Sequence, residues 1–537
     1  MTHHYITLEG VSFVLPDGTT LFHDLNEQFD GRPTGLVGRN GTGKTVLAKI
    51  LSGEKQPTTG HCLRSGAVHY LAQQIIQPEN TTLAELTGMQ TTLDALKRIE
   101  RGSTEIADFD AVGDHWDIEQ RLRTELERNN LGYLDATTPA HRLSGGEAMR
   151  VALIGALLSN TDFLILDEPT NHLDRQNRLA LIEQLKNWPR GLLVISHDRQ
   201  LLATMERIVE LSSLGLRSYG GDYNFYRLSK QQEHENAFKQ LDHLKAERRR
   251  EEQTLRDQRE KLEKRQASGN RTAKQANQAK ILLGRQKNRS QATAGKLIQQ
   301  QSSARSLLLQ RVLEAEQKME ENTAITLHQL PVTNASHKRI AELDNVELPF
   351  VSGTSRNITL IINGQQRIGV TGPNGCGKST LLRILDGQLK PLSGTCKILT
   401  KGIYLDQNLS NLDPEKTVLE QIRLANPTMP EGDLRMRLAQ LGLDAQKITI
   451  ASGLLSGGER LKAALACVLY AEPATEFLML DEPSNHLDLP SLQALETMLK
   501  NYQGALIVVS HDDHFLNNIG LTDRLQTTSK GWQLQTL

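Results

Sequence analysis

The chain has 537 residues, and its 62 Lys and Arg against 63 Asp and Glu leave a formal net charge of −1, too small to attract nucleic acid or a membrane to the protein as a whole. Its 4 cysteines, Cys62, Cys376, Cys396 and Cys467, lie far apart and form no CxxC pair, which argues against a disulfide framework, a zinc site or an iron–sulfur cluster. Because the sequence contains neither a basic-then-apolar leader nor an apolar run long enough to span a membrane, we expect a soluble cytoplasmic protein.

The first motif along the chain is a phosphate-binding loop. It reads GRNGTGKT and follows the apolar run TGLVG, which is typical of a strand buried on both faces. Glycines at this spacing let backbone N–H groups curl around a phosphate at a helix N-terminus, while the lysine holds β- and γ-phosphate oxygens and the last hydroxyl reaches Mg²⁺. The candidate ATP-binding residues are Gly38, Arg39, Asn40, Gly41, Thr42, Gly43, Lys44 and Thr45.

The segment that follows Gln73 is acidic and helical in pattern, around Thr91–Arg123. We interpret it as an extended, solvated helical subdomain, because runs of charge usually mark exposed faces. The alternative is that it forms a small arm that contacts a partner.

Three further motifs complete the first half. LSGGE (Leu143–Glu147) places a Ser–Gly–Gly turn at the start of a helix, which is a second anion site. The apolar run FLILD ends in Asp167, which is placed to support Mg²⁺, and the next residue, Glu168, is the candidate general base. His197, in SHD after another apolar run, suits a sensor of the γ-phosphate.

A segment of different character, from about Gln231 to Glu321, separates the two halves. It is rich in Lys, Arg, Glu and Gln, contains no proline, and predicts helices over residues 239–265 and 296–318, most simply as an antiparallel hairpin. Its bend is strongly basic, which suits phosphate backbones of RNA, although an ordinary solvated hairpin is the alternative. The candidate RNA-binding residues are Lys264, Arg265, Arg271, Lys274, Lys280, Arg285, Lys287 and Arg289.

The second half repeats the motifs of the first. The run RIGVTG, the loop GPNGCGKS, a glutamine, LSGGE, LMLDEPSNHLD and SHD recur in the same order, and the intervals from loop to glutamine and from aspartate to histidine are unchanged. A repeat of strands and helices at this spacing predicts an α/β core with a mostly parallel sheet in each half. The added candidates for ATP are Gly372, Pro373, Asn374, Gly375, Cys376, Gly377, Lys378 and Ser379. Ser379 and Asp481 are candidates for Mg²⁺, and Gln407, Glu482 and His511, with Gln73, are candidates for catalysis.

The chain resembles the ABC-F family over essentially its whole length. The resemblance rests on the two repeated halves, which correspond to two fused ATP-binding cassettes, on the two LSGGE motifs, which correspond to the family's signature motif ending in Glu, and on the charged helical linker. The resemblance implies two P-loop ATP-binding-cassette domains, each with a mostly parallel core sheet and a helical subdomain, joined by a long antiparallel helical hairpin. We therefore expect the first domain at residues 4–230, the linker at 231–338 and the second domain at 339–537.

The same resemblance implies two composite ATP sites, because in that superfamily two cassettes pack head to tail and the signature turn of each closes over the ATP of the other. Both sites should hydrolyse ATP, and one chain suffices without a dimer. Ser456, Gly457, Gly458 and Glu459 would complete the site of Lys44; Ser144, Gly145, Gly146 and Glu147 would complete that of Lys378; Asp174 and Asp488 would lie at the interface. Phe13 or Leu15 and, in the second half, Phe350 are the nearest candidates for stacking on adenine.

The resemblance further implies a ribosome-associated ATPase that modulates translation, with ATP and Mg²⁺ as cofactors and with the linker tip directed at rRNA and the P-site tRNA. A housekeeping role and protection of the ribosome from antibiotics both remain open. Two other classes are considered as alternatives. An energy-supplying subunit of a membrane transporter would need a coupling surface but no basic linker, and a DNA-associated ATPase usually carries zinc cysteines or far longer coiled coils.

Overall fold

The computed structural model describes residues 4–73, 81–159, 161–171, 173–275, 306, 309–313, 338–485 and 487–537. The chain divides into two compact units, one made of Met1–Phe225 and Ile325–Leu537 and the other of Tyr226–Ala324. The first unit contains both cassettes, and the second contains the segment between them. Among the helices in these described ranges, none is long and apolar enough to cross a membrane.

The first cassette is built on two sheets. Its strands are β1 (Ile6–Val14), β2 (Thr20–Phe29), β3 (Thr34–Gly38), β4 (Thr59–Arg64), β5 (Val68–Leu71), β6 (Phe163–Asp167), β7 (Gly191–Ile195), β8 (Arg207–Ser212) and β9 (Gly215–Tyr219). An antiparallel sheet has the order β2-β1-β4. The other sheet has the order β5-β6-β7-β3-β8-β9 and is parallel except for β9.

Helices cover this sheet and form a separate helical region. They are α1 (Lys44–Ser52), α2 (Leu83–Leu86), α3 (Gln90–Glu100), α4 (Ile106–Val112), α5 (Ile118–Arg128), the 3₁₀ turn Ala140–Arg142, α6 (Gly145–Leu158), α7 (Arg175–Lys186) and α8 (Arg199–Leu202). The predicted helical character of the acidic segment is confirmed, since α3, α4 and most of α5 lie in it.

The second unit is organised around one long helix, α9 (Tyr223–Gln275). The first predicted linker helix lies within it. Of the second predicted helix, residues 306 and 309–313 are described and are helical, and Val312 is buried with Leu241 of α9. The bend lies largely outside the described residues, so the hairpin stays a prediction, as do the three domain boundaries.

The second cassette repeats the two-sheet plan. Its strands are β10 (Arg339–Glu347), β11 (Asn357–Asn363), β12 (Arg367–Thr371), β13 (Thr395–Ile398), β14 (Ile403–Leu405), β15 (Phe477–Asp481), β16 (Ala505–Val509), β17 (Asp523–Thr528) and β18 (Gly531–Thr536). The antiparallel sheet has the order β11-β10-β13, and the mostly parallel sheet has the order β14-β15-β16-β12-β17-β18. The predicted α/β fold with two cassettes is confirmed.

Among the described residues, its α-helices are fewer than those of the first cassette. They are α10 (Lys378–Leu385), α11 (Val418–Ala425), α12 (Glu431–Gln440), α13 (Gly457–Leu469), α14 (Leu489–Asn501) and α15 (Asp513–Asn518), with 3₁₀ turns at Gly353–Arg356, Lys447–Thr449 and Ser452–Leu454. Every residue of β6, β7, β15 and β16 is buried. Because parallel strands end at the same edge of a sheet, the loops that follow these strands converge beside the phosphate loops.

Candidate functional site

Each phosphate loop connects a buried strand to a helix, from β3 to α1 in the first cassette and from β12 to α10 in the second. Gly43 and Gly377, directly before the helices, have φ angles of 93° and 99°, a left-handed conformation that glycine adopts without strain. A β-carbon on Gly377 would lie 2.7 Å from Val351. The spacing of the glycines in the sequence is therefore required both by the backbone turn and by its packing.

The loop lysines, Lys44 and Lys378, are each only 8% exposed. Nζ of Lys44 donates to the carbonyl oxygens of Gly38 at 2.7 Å and Arg39 at 2.9 Å, and Lys378 makes the matching pair of bonds in its own loop. Burial lowers the pKa of Lys44, and the nearby Glu168 carboxylate opposes that shift. A cation held at the centre of a loop of backbone amides is suited to phosphate oxygens.

The strand-end aspartates are buried beside hydroxyl groups. The hydroxyl of Tyr70 donates to Oδ2 of Asp167 at 3.2 Å, and that of Tyr404 donates to Oδ2 of Asp481 at 3.0 Å. Burial and the adjacent carboxylate raise the pKa of both tyrosines, so both remain protonated donors. In the first cassette, the Thr45 side chain also hydrogen-bonds Asp167, which brings the two predicted Mg²⁺ ligands together.

These residues fit a magnesium ion. Oδ1 of Asp481 is buried and has no hydrogen-bond partner, as expected for an oxygen aimed at a cation. The structure places no cluster of three or more His, Cys, Asp or Glu side chains for a metal within its described ranges, so the protein offers one carboxylate and one hydroxyl at each site. Mg²⁺ prefers one or two carboxylates together with substrate phosphates, so Asp481 with Ser379, and Asp167 with Thr45, are a sufficient protein contribution.

The candidate general bases, Glu168 and Glu482, share an unusual backbone. Their φ angles are 51° and 48°, in the left-handed region that costs energy for a residue with a β-carbon. Their N–H groups donate to Ile195 at 2.8 Å and Val509 at 2.9 Å, on the neighbouring strand, which holds the turn in place. Burial raises the pKa of each glutamate to about 8, against the opposing charge of the loop lysine.

A histidine lies against each glutamate. Nε2 of His197 is 3.5 Å from Oε1 of Glu168, and Nε2 of His511 is 3.4 Å from Oε1 of Glu482. Burial lowers the pKa of His197 to about 3 and that of His511 to about 4, so both rings are neutral near pH 7. The backbone N–H of His511 also donates to Oε2 of Glu482 at 3.3 Å. Above its pKa of about 8, each glutamate is a carboxylate that can accept a proton from water beside a neutral ring.

The signature turns cap the helices that follow them. Ser144 Oγ accepts the Glu147 N–H at 3.3 Å while Glu147 Oε2 accepts the Ser144 N–H at 2.7 Å, a complete capping box at the start of α6. Ser456 and Glu459 form the same box at the start of α13. The two glutamates predicted to bind ATP are thus engaged in shaping the turn, with Ser144 itself exposed.

The two cassettes meet head to tail at the first loop. The Asn40 N–H, in the loop of the first cassette, donates to Oδ2 of Asp488 in the second cassette at 2.9 Å. Asp488 also caps α14 through the Ser491 N–H at 2.9 Å. Burial lowers the pKa of Lys462 on the signature helix α13, with Asp488 opposing the shift and Arg39 of the first loop adding to it. The predicted interface aspartate and the signature helix of the second cassette therefore both lie beside the first loop.

The second loop opens into a cavity of about 450 Å³ that is lined by both cassettes. Two sets of residues line it: Asn374, Lys378, Ser379, Gln407, Asp481, Glu482 and His511 from its own cassette, and Glu168, Asn171, Arg178 and His197 from the first cassette. A cavity of this size suits a nucleotide-sized ligand. Gln73 is half-buried just after β5, and the residues that follow it, 74–80, lie outside those described.

The aromatic candidates for adenine stacking differ between the cassettes. Phe350 lines the cavity and is 92% exposed, so its ring is accessible. Phe13 is 7% exposed and packs on Phe22, with ring centroids 6.2 Å apart, so it belongs to the core. In the first cassette this leaves the half-buried Leu15 as the nearest candidate.

Most of the candidate RNA-binding residues lie where the structure gives no side-chain description. Lys264 is exposed on α9, and Arg265, Arg271 and Lys274 lie on the same helix. Lys280, Arg285, Lys287 and Arg289 lie outside the described residues. The RNA contacts stay a prediction.

Two tyrosines at the site were missed by the analysis of the sequence. Tyr70 and Tyr404 sit on β5 and β14, where a tyrosine is unremarkable as a strand residue. Both stand three residues before the candidate glutamine of their own cassette, Gln73 or Gln407. Their matching place in the repeat was the available signal.

The chain is similar to known ATP-binding cassette proteins in sequence and in fold. Residues 24–171 and 355–485 match the family model described as "ABC transporter". The chain is 30% identical to the "Energy-dependent translational throttle protein EttA" of Mycobacterium tuberculosis, over 98% of this chain and 89% of that protein. It is 29% identical to "ABC transporter F family member 5" of Arabidopsis thaliana, over 94% of this chain and 72% of that protein. The solved structure "Model of ribosome-bound archaeal Pelota and ABCE1" contains a chain with the same fold, with a TM-score of 0.55, 18% identity, and coverage of 98% of this chain and 78% of that chain.

Proposed function

Because this chain belongs to the ABC-F family of ATP-binding cassette proteins, we propose that it binds the ribosome and uses ATP at two composite sites to modulate translation. The chain is an ATP-hydrolysing enzyme. In the proposal, ATP with Mg²⁺ closes the two cassettes on each other, and hydrolysis releases them. The basic linker tip contacts rRNA and the P-site tRNA, which places the protein in the cytoplasm.

The observation that carries the two-site proposal is the bond from the Asn40 N–H to Asp488. It joins a phosphate loop of one cassette to the interface aspartate of the other, so the first nucleotide site is built from both cassettes. Since the motifs recur in full, the second loop takes the same role with Asp174, whose charge acts on His511. Closure of the cassettes and completion of the sites are then one event.

Within each site, the chain's own residues have separate tasks. Lys44 and Lys378 hold phosphate oxygens, and the strand-end aspartate with its tyrosine partner supports the metal ion. Glu168 and Glu482 accept the proton of the attacking water, oriented by the neutral histidine beside each. Bound Mg²⁺ supplies the positive charge that offsets the charge developing on the phosphate oxygens.

The ribosomal part of the proposal is supported by the relative named as a translational throttle and by the charge of the linker. Between Lys261 and Arg311 the sequence has 12 Lys and Arg residues and a single acidic residue, Glu263. One-sided charge in an otherwise neutral protein is suited to a polyanion.

The test is co-sedimentation of a doubly substituted protein, Glu168→Gln with Glu482→Gln, with purified ribosomes. Without the two bases, ATP should stay bound and the cassettes should stay closed, which slows release of the protein from the ribosome. In the presence of ATP, at least about tenfold more of the variant than of the wild type should therefore pellet with ribosomes. The fraction bound is measured by quantitative blotting of the pellet.

The matched control carries Lys44→Ala and Lys378→Ala in addition and should lose the gain, since it lacks the lysines that hold ATP. If the doubly substituted protein in ATP sediments no better than wild type, the ribosomal function is wrong. In the Glu168→Gln, Glu482→Gln protein, replacing four basic linker residues by alanine should weaken ribosome binding and make it depend less on salt concentration. These residues are Lys264, Arg265, Arg271 and Lys274. Growth of cells that carry the protein, with and without ribosome-targeting antibiotics, distinguishes protection from a housekeeping role.

A further inference from the structure

Arg178 is a buried cation that reaches from one cassette to the other. It lies on α7, one turn after the interface aspartate Asp174 that caps the helix, and is 6% exposed. Its Nη2 donates to Oδ1 of Asp198 in its own cassette at 2.5 Å. Its Nη1 donates to the carbonyl oxygen of His511 in the second cassette at 3.1 Å. A single guanidinium therefore ties the first cassette to the residue that lies beside Glu482.

The contact continues to the hydrolytic carboxylate. His511 accepts the guanidinium at its carbonyl and donates its own N–H to Oε2 of Glu482 at 3.3 Å. The guanidinium is itself fixed, because Asp198 also accepts the N–H groups of Gln200 and Leu201 at the start of α8. Hydrogen bonds therefore run without a break from α8 through Asp198, Arg178 and His511 to Glu482.

At the aligned position of the repeat, the second cassette has a leucine in place of this arginine. The segments NHLDRQNR and NHLDLPSL align Asp174 with Asp488 and Arg178 with Leu492. Leu492 is 2% exposed and has no hydrogen-bond donor on its side chain, so it makes no such bond to His197. The two sites thus share their hydrolytic residues but differ at one buried position that faces the opposite cassette.

Two further ion pairs join the same two cassettes. Nη1 of Arg199 is 2.7 Å from Oε1 of Glu496, and Nε of Arg175 is 2.7 Å from Oδ2 of Asp513. In both, as for Arg178, the cation belongs to the first cassette. The repeat aligns Glu496 with Ile182 and Asp513 with Arg199, so exchanging the cassettes would not reproduce these pairs.

We propose that Arg178 is a positioning residue for the second composite site, holding His511 and through it Glu482 once the two cassettes are docked. Hydrolysis at Glu482 then depends on a side chain of the first cassette, whereas Leu492, at the aligned position, cannot hold His197 in this way for Glu168. The two sites share the same hydrolytic residues, but docking of the cassettes affects the rate of hydrolysis more at Glu482 than at Glu168. The proposal rests on ATP hydrolysis at both sites.

Single-turnover hydrolysis of γ-labelled ATP, measured site by site, tests this. In a Glu168→Gln background the label released reports the Glu482 site, and in a Glu482→Gln background it reports the Glu168 site. Arg178→Leu, which installs the residue found at the aligned position, should slow release about tenfold in the first background, as expected for loss of a hydrogen bond from a charged donor. In the second background the rate should fall less than in the first, because Arg178 reaches the Glu168 site only through Asp198, the residue after His197.

The matched control is Arg199→Leu, which removes a cross-cassette ion pair without touching His511 and should slow both sites equally. Arg178→Lys keeps the charge with one compact donor group, so it should restore part of the rate at the Glu482 site only; it also serves if the leucine variant does not fold. Equal slowing of both sites by Arg178→Leu, or no slowing of the Glu482 site, overturns the proposal. Failure of both parent backgrounds to release label would instead show that the hydrolytic assignment is wrong.

Discussion

The two cassettes share one hydrolytic arrangement and differ in what surrounds it. In each, a tyrosine donates to the strand-end aspartate and the next glutamate has a left-handed backbone. Around this common centre, the first cassette has helices α3 and α4, with no counterpart among the described residues of the second, and it supplies the interface arginines. Duplication has therefore preserved the chemistry of the site while its connections to the rest of the molecule have diverged.

The largest expected effect tests whether the two centres are equal. Glu168→Gln and Glu482→Gln should each reduce hydrolysis at their own site by about 10²–10⁴-fold, the usual contribution of a general base. Each single variant should then release label from half of the bound ATP in a rapid-quench experiment, and the double variant from almost none. A single variant that retains the full amplitude would mean that its site does not hydrolyse ATP in the wild type.

The next effect concerns the buried ion pair between the cassettes, in which the first cassette supplies the cation, Arg199, and the second supplies the carboxylate, Glu496. The two side chains are 8% and 11% exposed, so Glu496→Ala leaves a buried cation without its partner. We expect the free energy of unfolding to fall by about 3–5 kcal/mol, measured by urea denaturation.

The matched control is Arg175→Ala, which removes a cross-cassette pair whose cation is 51% exposed. An exposed pair contributes about 0.2–1 kcal/mol, so the two variants should differ clearly. Equal losses would show that burial does not distinguish these pairs and that the interface is held by other contacts.

A smaller effect is expected at the signature turns, where the cassettes should be alike. Ser144→Ala and Ser456→Ala each remove the side chain that caps α6 or α13, at a cost of about 1 kcal/mol. Hydrogen exchange of the first turn of each helix should rise by a similar factor in both variants. A change confined to one helix would break the equivalence of the two turns.

The smallest effect separates the same two turns by pH. Burial raises the pKa of Glu459, but its bonds with Lys447 and Ser456 outweigh this and hold the pKa below the ordinary value of 4.5. A carboxylate with a lowered pKa stabilises the fold above pH 4.5, and that contribution is lost as the pH falls through its folded-state pKa. Lys447→Gln should shift the loss of protection at the start of α13 to higher pH, measured by hydrogen exchange at several pH values, and leave α6 unchanged.

The sequence was sufficient to predict the fold because its signals are local and repeated. The run FLILD and the apolar run before SHD correspond to β6 and β7, as expected, and the spacing of the glycines corresponds to the turns at Gly43 and Gly377. Periodicity, strand-end chemistry and a duplicated order of motifs need no knowledge of distant contacts. The acidic segment was correctly predicted as helical for the same reason.

The residues that were missed act through contacts that no local pattern encodes. Arg178 looks like an ordinary charge on a helix, and its role depends on the carbonyl of His511, far away in the chain. Tyr70 looks like a strand residue until the neighbouring strand brings Asp167 beside it. Phe13 was a stacking candidate by position, yet the antiparallel sheet buries its ring against Phe22. In each case tertiary packing decides the role.

The left-handed backbone at Glu168 and Glu482 also sets a conflict between stability and activity. A glycine at either position would relieve about 1–3 kcal/mol of backbone strain and end hydrolysis at that site. The more stable variant would therefore be the inactive one. Glutamine keeps the β-carbon and with it the strain, which makes it the appropriate trap for the closed state. A screen for thermostable variants of this chain should therefore recover glycine at these two positions, and in doing so would identify the hydrolytic residues without measuring ATP at all.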